Sequence, residues 1–513
     1  MLLRFILLTG FYLPLLANGS SVKASLFGFS RKDATSCLQS AMDSRSDTVY
    51  VDNVGIWNVA PVFVNQNNKT IILENGVLLM ALSERYDIND CVLNISANAI
   101  NPNIRKNITI IGYGATIQMR KHEYLEKING EFRHCLTIDN ADNIKIFGLT
   151  LRDSGGDGII LGNASPSNLQ GVNFNKDIII KDCRCINNKR QGISIISAIN
   201  VLVENCVLEA TSGTAPSSGI DIEPDVEHEF IYNCTIRNCL IQNNRGNGLQ
   251  VYVPHASPKL HPISVSIENC VIKGNQQNGL YVFGPGKSEG ESVISISGCL
   301  VVNNNGGIEL ANTSTGNIKV EKCFFMNSGK ASNYIVTIDQ GYNSFLVRPG
   351  QLFGGIEFSN CSVVPGAQNI FTSKADRSNL FRGVRAIRGK IFVVDTLNAK
   401  RIEKDNFSIR LDVLTKMDID AKVTVLDSRI QSNEGLAIVR FLPFKPLAPL
   451  NAAIKVVDQS GDIFEQVISI EDCLAGFTSV DLSLFKFKAN TLTLTVSEWE
   501  HVGYRKVFNH IEL

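Results

Sequence analysis

Down the middle of the chain a glycine followed by alternating apolar and variable residues recurs six times. The copies are Gly158-Ile159-Ile160-Leu161, Gly192-Ile193-Ser194-Ile195, Gly219-Ile220-Asp221-Ile222, Gly248-Leu249-Gln250-Val251, Gly279-Leu280-Tyr281-Val282 and Gly307-Ile308-Glu309-Leu310. Successive glycines lie 34, 27, 29, 31 and 28 residues apart. Apolar residues at every second position predict a strand, and a fixed period of this length predicts stacked modules rather than one compact core. Asn-rich segments (Asn187-Asn188, Asn243-Asn244, Asn275, Asn303-Asn304-Asn305) precede most of the glycines. Asparagine accepts left-handed backbone and bonds neighbouring amides, which suits the corners of a coil. The reading is a parallel β-helix.

A second periodic series, Cys183, Cys206, Cys239, Cys270, Cys299, Cys323 and Cys361, follows short strands such as Val201-Leu202-Val203. We expect one small thiol per coil stacked inside the solenoid, rather than disulfides or a zinc site. The total of 13 cysteines is odd, and no Cys-x-x-Cys pair with matching His spacing is present.

Residues Asp33 to Asp43 show helical spacing, with Ala34, Leu38, Ala41 and Met42 on one side and Asp33 as N-cap. A solenoid needs its first open coil covered, and this helix is the expected cap. Residues Arg120 to Glu131 read as a polar loop interrupting the early coils. From about Arg385 the pattern changes to longer alternating strands, among them Phe407 to Leu411, Lys422 to Leu426 and Leu492 to Val496, which suggest a small β-sandwich. The expected division is a signal peptide over 1–24, a β-helix over 25–380 and a sandwich-like domain over 381–513.

Composition narrows the class. Lys+Arg and Asp+Glu are both 49, giving no net charge, which lacks the basic footprint of a nucleic-acid binder. Arg4, the apolar run Phe5 to Leu16 and the small residues after it read as a secretory signal too short to span a bilayer. We expect a secreted or periplasmic monomer with no membrane span in the mature chain.

Stacking the repeats places equivalent residues about 4.8 Å apart on successive coils, so the register becomes a map. The column before the glycines reads His134, Asp157, Gln191, Ser218, Asn247, Asn278. The first outward column reads Thr137, Ile160, Ser194, Asp221, Gln250, Tyr281, Glu309, and the second includes Asp139, Glu223, Tyr252 and Phe283. Chemistry concentrates between Arg133 and Asp225. His134 and Asp157 are neighbours, Lys189 and Arg190 come next, and Asp221, Glu223 and Asp225 follow, with Gln250, Tyr252 and Tyr281 downstream. Carboxylates beside exposed aromatic rings suit a sugar chain.

Two chemistries fit. In glycoside hydrolysis two carboxylates flank the bond, and Asp157, Asp221 and Glu223 supply the acid/base set, with His134 tuning Asp157. In β-elimination or C5-epimerisation of a uronic acid, Arg133 and Arg190 neutralise the substrate carboxylate and His134 or Lys189 removes the proton. A calcium ion held by Asp221, Glu223 and Asp225 is the other neutralising device. Gln250, Tyr252 and Tyr281 extend the binding surface in either case. A glycan-binding solenoid without catalysis is a third reading.

Residues 33 to about 375 resemble the pectin-lyase-like right-handed parallel β-helix superfamily. The Asp33-Ala34-Thr35 helix, the Ile108-Thr109-Ile110-Ile111-Gly112 coil and the phrase Asp157-Gly158-Ile159 carry the likeness. The resemblance implies a right-handed coil and glycan cleavage or epimerisation in its groove. It does not specify the substrate. Gln191-Gly192 lacks the His of polygalacturonases, and no Trp-Ile-Asp-His segment of the pectate-lyase type is present.

Overall fold

The computed structural model describes residues 20–96, 104–125, 131–163, 174–256, 261–284, 292–311 and 317–326, together with strands between Tyr334 and Glu512. The apolar run read as a signal lies outside the described residues. Three parallel ladders build the coils. The first starts at Ser21–Lys23, pairs in register with Thr48–Val51, and runs coil by coil to Phe407–Val413. The second runs from Trp57–Val59 to Phe324–Met326. The third runs from Val62–Phe63 through Leu136–Asp139, Ile159–Gly162, Ile193–Ile195, Ile220–Ile222 and Leu249–Tyr252 to Asn369–Ser373.

The glycine phrase is the third ladder. Ile159, Leu161, Ile193, Ile195, Ile220 and Ile222 are fully buried in one continuous core, as strand alternation requires. The glycines are needed because each coil bends against the next at that point. A Cβ on Gly192 would lie 2.4 Å from the Gly219 carbonyl oxygen, and one on Gly248 would lie 2.6 Å from that of Gly279. No side chain fits there.

Asparagine fixes the corners in two ways. Asn187, Asn243 and Asn303 take left-handed backbone, with φ of 52°, 57° and 56°. Their neighbours form a buried ladder. Asn275 Oδ1 accepts from Asn244 N at 3.0 Å and from Asn244 Nδ2 at 2.9 Å, and Asn304 Oδ1 serves Asn275 in the same manner. Burying these amides is tolerable because their bonds are made inside the protein.

The twelve described cysteines are all free and buried. The Cys206 thiol touches those of Cys183 and Cys239 on adjacent coils, so the expected interior thiol column is present.

The cap is helix α1, Thr35–Asp43, which buries Cys37, Leu38, Ala41 and Met42. It begins later than expected. Ala34 holds the cap position, and Asp33 Oδ1 accepts from Thr35 N at 2.9 Å just outside it. Two boundaries also shift. Because Ser21–Lys23 is already paired, the solenoid starts before residue 25. At the other end Ile387–Val393 and Phe407–Val413 extend the first parallel ladder past 381, so Phe407 to Leu411 is solenoid rather than sandwich. Only after these do antiparallel sheets begin, one of three strands and one of four, containing Val425–Gln431 and Thr493–Trp499 respectively.

Candidate functional site

Register places the outward column as read: Thr137, Ile160, Ser194, Asp221, Gln250, Tyr281 and Glu309 are consecutive partners. The column before the glycines is also continuous, since the amide after each residue donates to the next coil, as in Cys135 N to Asp157 O at 3.1 Å and Gly158 N to Gln191 O at 3.0 Å. These side chains lie off the core, yet Asp157, Ser194 and Asp221 are fully buried. They are covered by one another and by Arg190 and Glu223 rather than lying open.

Asp157 is delivered by a tight turn. Gly156 must lack a side chain, because its Cβ would lie 2.6 Å from the Phe132 carbonyl oxygen. Asp157 N donates to His134 Nδ1 at 2.9 Å, which makes Nδ1 an acceptor and leaves the ring proton on Nε2. Burial, reinforced by Arg190, pushes the His134 pKa down to about 3. The ring is neutral and fixed.

Arg190 is the centre of charge. Its Nη1 lies 3.6 Å from Asp157 Oδ2, its Nη2 3.2 Å from Glu223 Oε2, and its Nε 4.0 Å from Glu131 Oε2. Burial raises the Asp157 pKa to about 6 despite the opposing pull of Arg190. Asp221 Oδ2 accepts from Gln191 Nε2 at 2.7 Å, and Gln191 Oε1 accepts from Ser218 N at 2.8 Å. Burial, then the Glu223 charge, holds the Asp221 carboxyl far above the usual carboxylate range, and its bond to Glu223 favours the protonated form. Burial raises Glu223 too, offset by that bond and by Arg190. One guanidinium thus faces four carboxyl groups, too few positive charges for all to ionise.

The five expected catalytic residues Asp157, Asp221, Glu223, His134 and Arg190 meet in this cluster. The cation trio does not. Among the described residues no three His, Cys, Asp or Glu side chains gather as a metal cage, and Arg190 fills the space between Asp157 and Glu223. Asp225 instead joins a loop brace in which Glu229 accepts from the amides of Asp225 and Val226 and from Asn163 Nδ2.

Two expected substrate contacts point elsewhere. Lys189 Nζ donates to the Tyr124 carbonyl. Arg133 Nε donates to Tyr86 O at 3.2 Å, and its guanidinium lies 5.0 Å from the Tyr124 ring centroid. Both are buried and brace the short 3-10 segment Lys121–Tyr124. A lysine and an arginine beside a functional column need not face it, because corner residues turn away from the strand.

Downstream, Gln250 Oε1 accepts from Asn247 Nδ2 at 2.8 Å. Tyr252 stacks on Phe283 with centroids 4.9 Å apart, and Tyr281 lies 6.3 Å from the same ring. Phe283 and Gln191 support the site without having been singled out, although the register columns contained both. Glu229 and Glu131 lie on segments between ladders, where the repeat carries no positional information.

Residues 88–325 match a family described as right handed beta helix region. An uncharacterized protein, YclG of Bacillus subtilis (strain 168), is 33% identical over 144 residues, spanning 26% of this chain and 25% of that protein. Among solved structures the A-module of mannuronan C-5 epimerase AlgE6 from Azotobacter vinelandii is similar at 13% identity and a TM-score of 0.56, covering 77% of this chain and 100% of that one. A tailspike protein of E. coli bacteriophage HK620, in complex with a hexasaccharide, aligns at 11% identity and a TM-score of 0.49 over 96% of this chain and 92% of that one. With three stacked parallel ladders and this match over residues 88–325, the chain has the right-handed parallel β-helix fold.

Proposed function

We propose that the third-ladder face binds a polysaccharide and hydrolyses its glycosidic bonds with carboxyl groups. The observation that carries this reading is the gathering of Asp157, Asp221 and Glu223 around Arg190, set beside the partly exposed Tyr252 and Tyr281, with Tyr252 backed by the buried Phe283. Glycoside hydrolysis needs one carboxyl kept protonated near neutral pH and another ionised. Here Asp221 holds the proton and Glu223, whose side chain is 24% exposed, is the member a substrate can reach. Asp157, raised to about 6, is a second proton reservoir behind Arg190. Aromatic rings in the neighbouring columns offer apolar faces to pyranose rings.

Elimination is less well supported. His134 Nδ1 is occupied by the Asp157 amide, Lys189 is turned to Tyr124, and Arg190 is already committed to carboxylates. No positioned base remains among the residues expected to supply one. In this reading the protein acts outside the cell, where such polymers are found.

The test is a screen of acidic and neutral polysaccharides, read for reducing ends and for the near-ultraviolet absorbance of an unsaturated product. Reducing ends without absorbance, abolished in Glu223→Gln, are the expected result. Absorbance would assign elimination, a changed ratio of C5 epimers in a uronic-acid polymer with neither product would assign epimerisation, and binding with none of these would reduce the protein to a glycan-binding solenoid.

A further inference from the structure

A cavity of about 570 Å³ lies at the corner that follows the second ladder, beneath the segment Lys121–Tyr124. None of the residues lining it belongs to the carboxylate cluster. Its size falls within the range of small-molecule sites, about 300–1,000 Å³. Its charge is opposite in sign to that of the cluster. Arg120, Lys121 and Arg245 line it against one carboxylate, Asp153.

That carboxylate is already neutralised. Asp153 Oδ2 accepts from Arg152 Nε and Gln118 Nε2, both at 2.9 Å, and its Oδ1 accepts from Asn187 Nδ2 at 2.7 Å. Lys121 is buried with its ammonium on three acceptors, Asn187 Oδ1 at 2.8 Å, Ser212 Oγ at 3.1 Å and Asn188 O at 3.2 Å. Burial lowers its pKa to about 8, so below that pH it contributes a positive charge with no donor to spare. Arg120 is held through Nε, which donates to Ala81 O at 2.8 Å and lies 3.8 Å from Glu123 Oε1, leaving the two Nη groups of its fork. Arg245 is exposed, and its side chain has no ion pair or hydrogen bond among the described residues. The remaining wall includes Met80, Met119 and Leu125, an apolar surface for the C–H face of a ring.

We propose that this cavity is a second saccharide site, selective for a sugar unit bearing an anionic group, with Arg120 and Arg245 binding the anion. A planar guanidinium fork matches an oxyanion in two places, and the buried Lys121 charge adds a field that solvent screens little. The site does not depend on whether the carboxylate cluster is catalytic.

The experiment uses the full chain carrying Glu223→Gln, so that no turnover consumes the probe. Binding of a uronic-acid trisaccharide and of the neutral trisaccharide of the same configuration is measured by calorimetry at low and moderate salt. The acidic probe should bind at least about tenfold tighter, and Arg245→Gln, at an exposed position, should remove about tenfold of that affinity. Lys319→Gln, at an exposed first-ladder position that neither lines the cavity nor lies on the third-ladder face, should leave it unchanged, and Tyr281→Ala reports any share of binding at that face. Equal affinity for the two probes, or loss of acidic-probe binding in Tyr281→Ala but not in Arg245→Gln, would overturn the proposal. Neither of those results would bear on cleavage by the wild-type chain, which the polysaccharide screen measures separately.

Discussion

Glu223 Oε2 lies 3.2 Å from Arg190 Nη2, while Nη1 of the same guanidinium lies 3.6 Å from Asp157 Oδ2. A single side chain from one corner thereby fixes carboxylates from the coils on either side of it. Breaking a buried ion pair by deleting one partner costs about 3–5 kcal/mol, because the remaining charge is left uncompensated. Arg190→Met should cost about that much in denaturant unfolding at pH 7, and less at pH 4.5, where Asp157 takes up a proton. A pH-independent cost would mean that Arg190 does not compensate Asp157.

Glu223→Gln keeps the shape of the side chain and removes its charge. Loss of a positioned acid/base group lowers turnover by about 10²–10⁴-fold. We expect a loss in this range in kcat, with the circular dichroism spectrum and Tm close to wild type. Unchanged kcat on a polysaccharide the wild type cleaves would remove Glu223 from the mechanism.

Two buried groups give opposite pH dependences. The folded chain raises Asp157 from 3.8 to about 6. This contribution is complete below about pH 4 and is lost as pH rises through 6, on the order of 3 kcal/mol in all. His134 is lowered from 6.5 to about 3, so its contribution is complete above pH 6.5 and is lost as pH falls toward 3. In the wild type the two partly cancel between pH 4 and 6.5. Asp157→Asn leaves only the histidine term, so its unfolding free energy should fall more steeply than wild type from pH 6.5 to 4.5. Parallel pH profiles would contradict the raised pKa of Asp157.

Asn275 gives its amide to Ile241 O and Asn304 Oδ1 and accepts twice from Asn244. Replacing it with Ala leaves buried partners on both neighbouring coils unpaired, each costing about 1–3 kcal/mol. Asn275→Ala should therefore destabilise by about 3 kcal/mol or more in equilibrium unfolding, whereas Asn305→Ala, at a half-buried position outside the ladder, should cost well under half of that. Equal effects would mean that the buried ladder is no more important than ordinary corner polarity.

The ladders were legible because strand alternation and glycine spacing are both imposed by one geometry. Ser194, Asp221, Gln250 and Tyr281 could be aligned without coordinates for that reason. The corner residues obey no such period. Lys189 and Arg190 are adjacent in sequence, yet one braces Tyr124 and the other joins the carboxylates. Glu131 and Glu229 belong to segments whose course depends on packing that no repeat encodes. The C-terminal boundary was misplaced for a related reason: Phe407 to Leu411 alternates like a sandwich strand, and only its parallel partner Ile387–Val393 identifies it as solenoid.

The thiol column has a consequence for how this chain meets its surroundings. Burial holds Cys206, Cys239 and Cys323 well above the ordinary thiol range, so the thiolate that attacks oxidants and disulfides is scarce and sheltered. A cysteine-rich composition usually reports the oxidation state of the compartment a protein inhabits. Here it reports the interior of a coil, and the fold should be indifferent to reductant and oxidant alike.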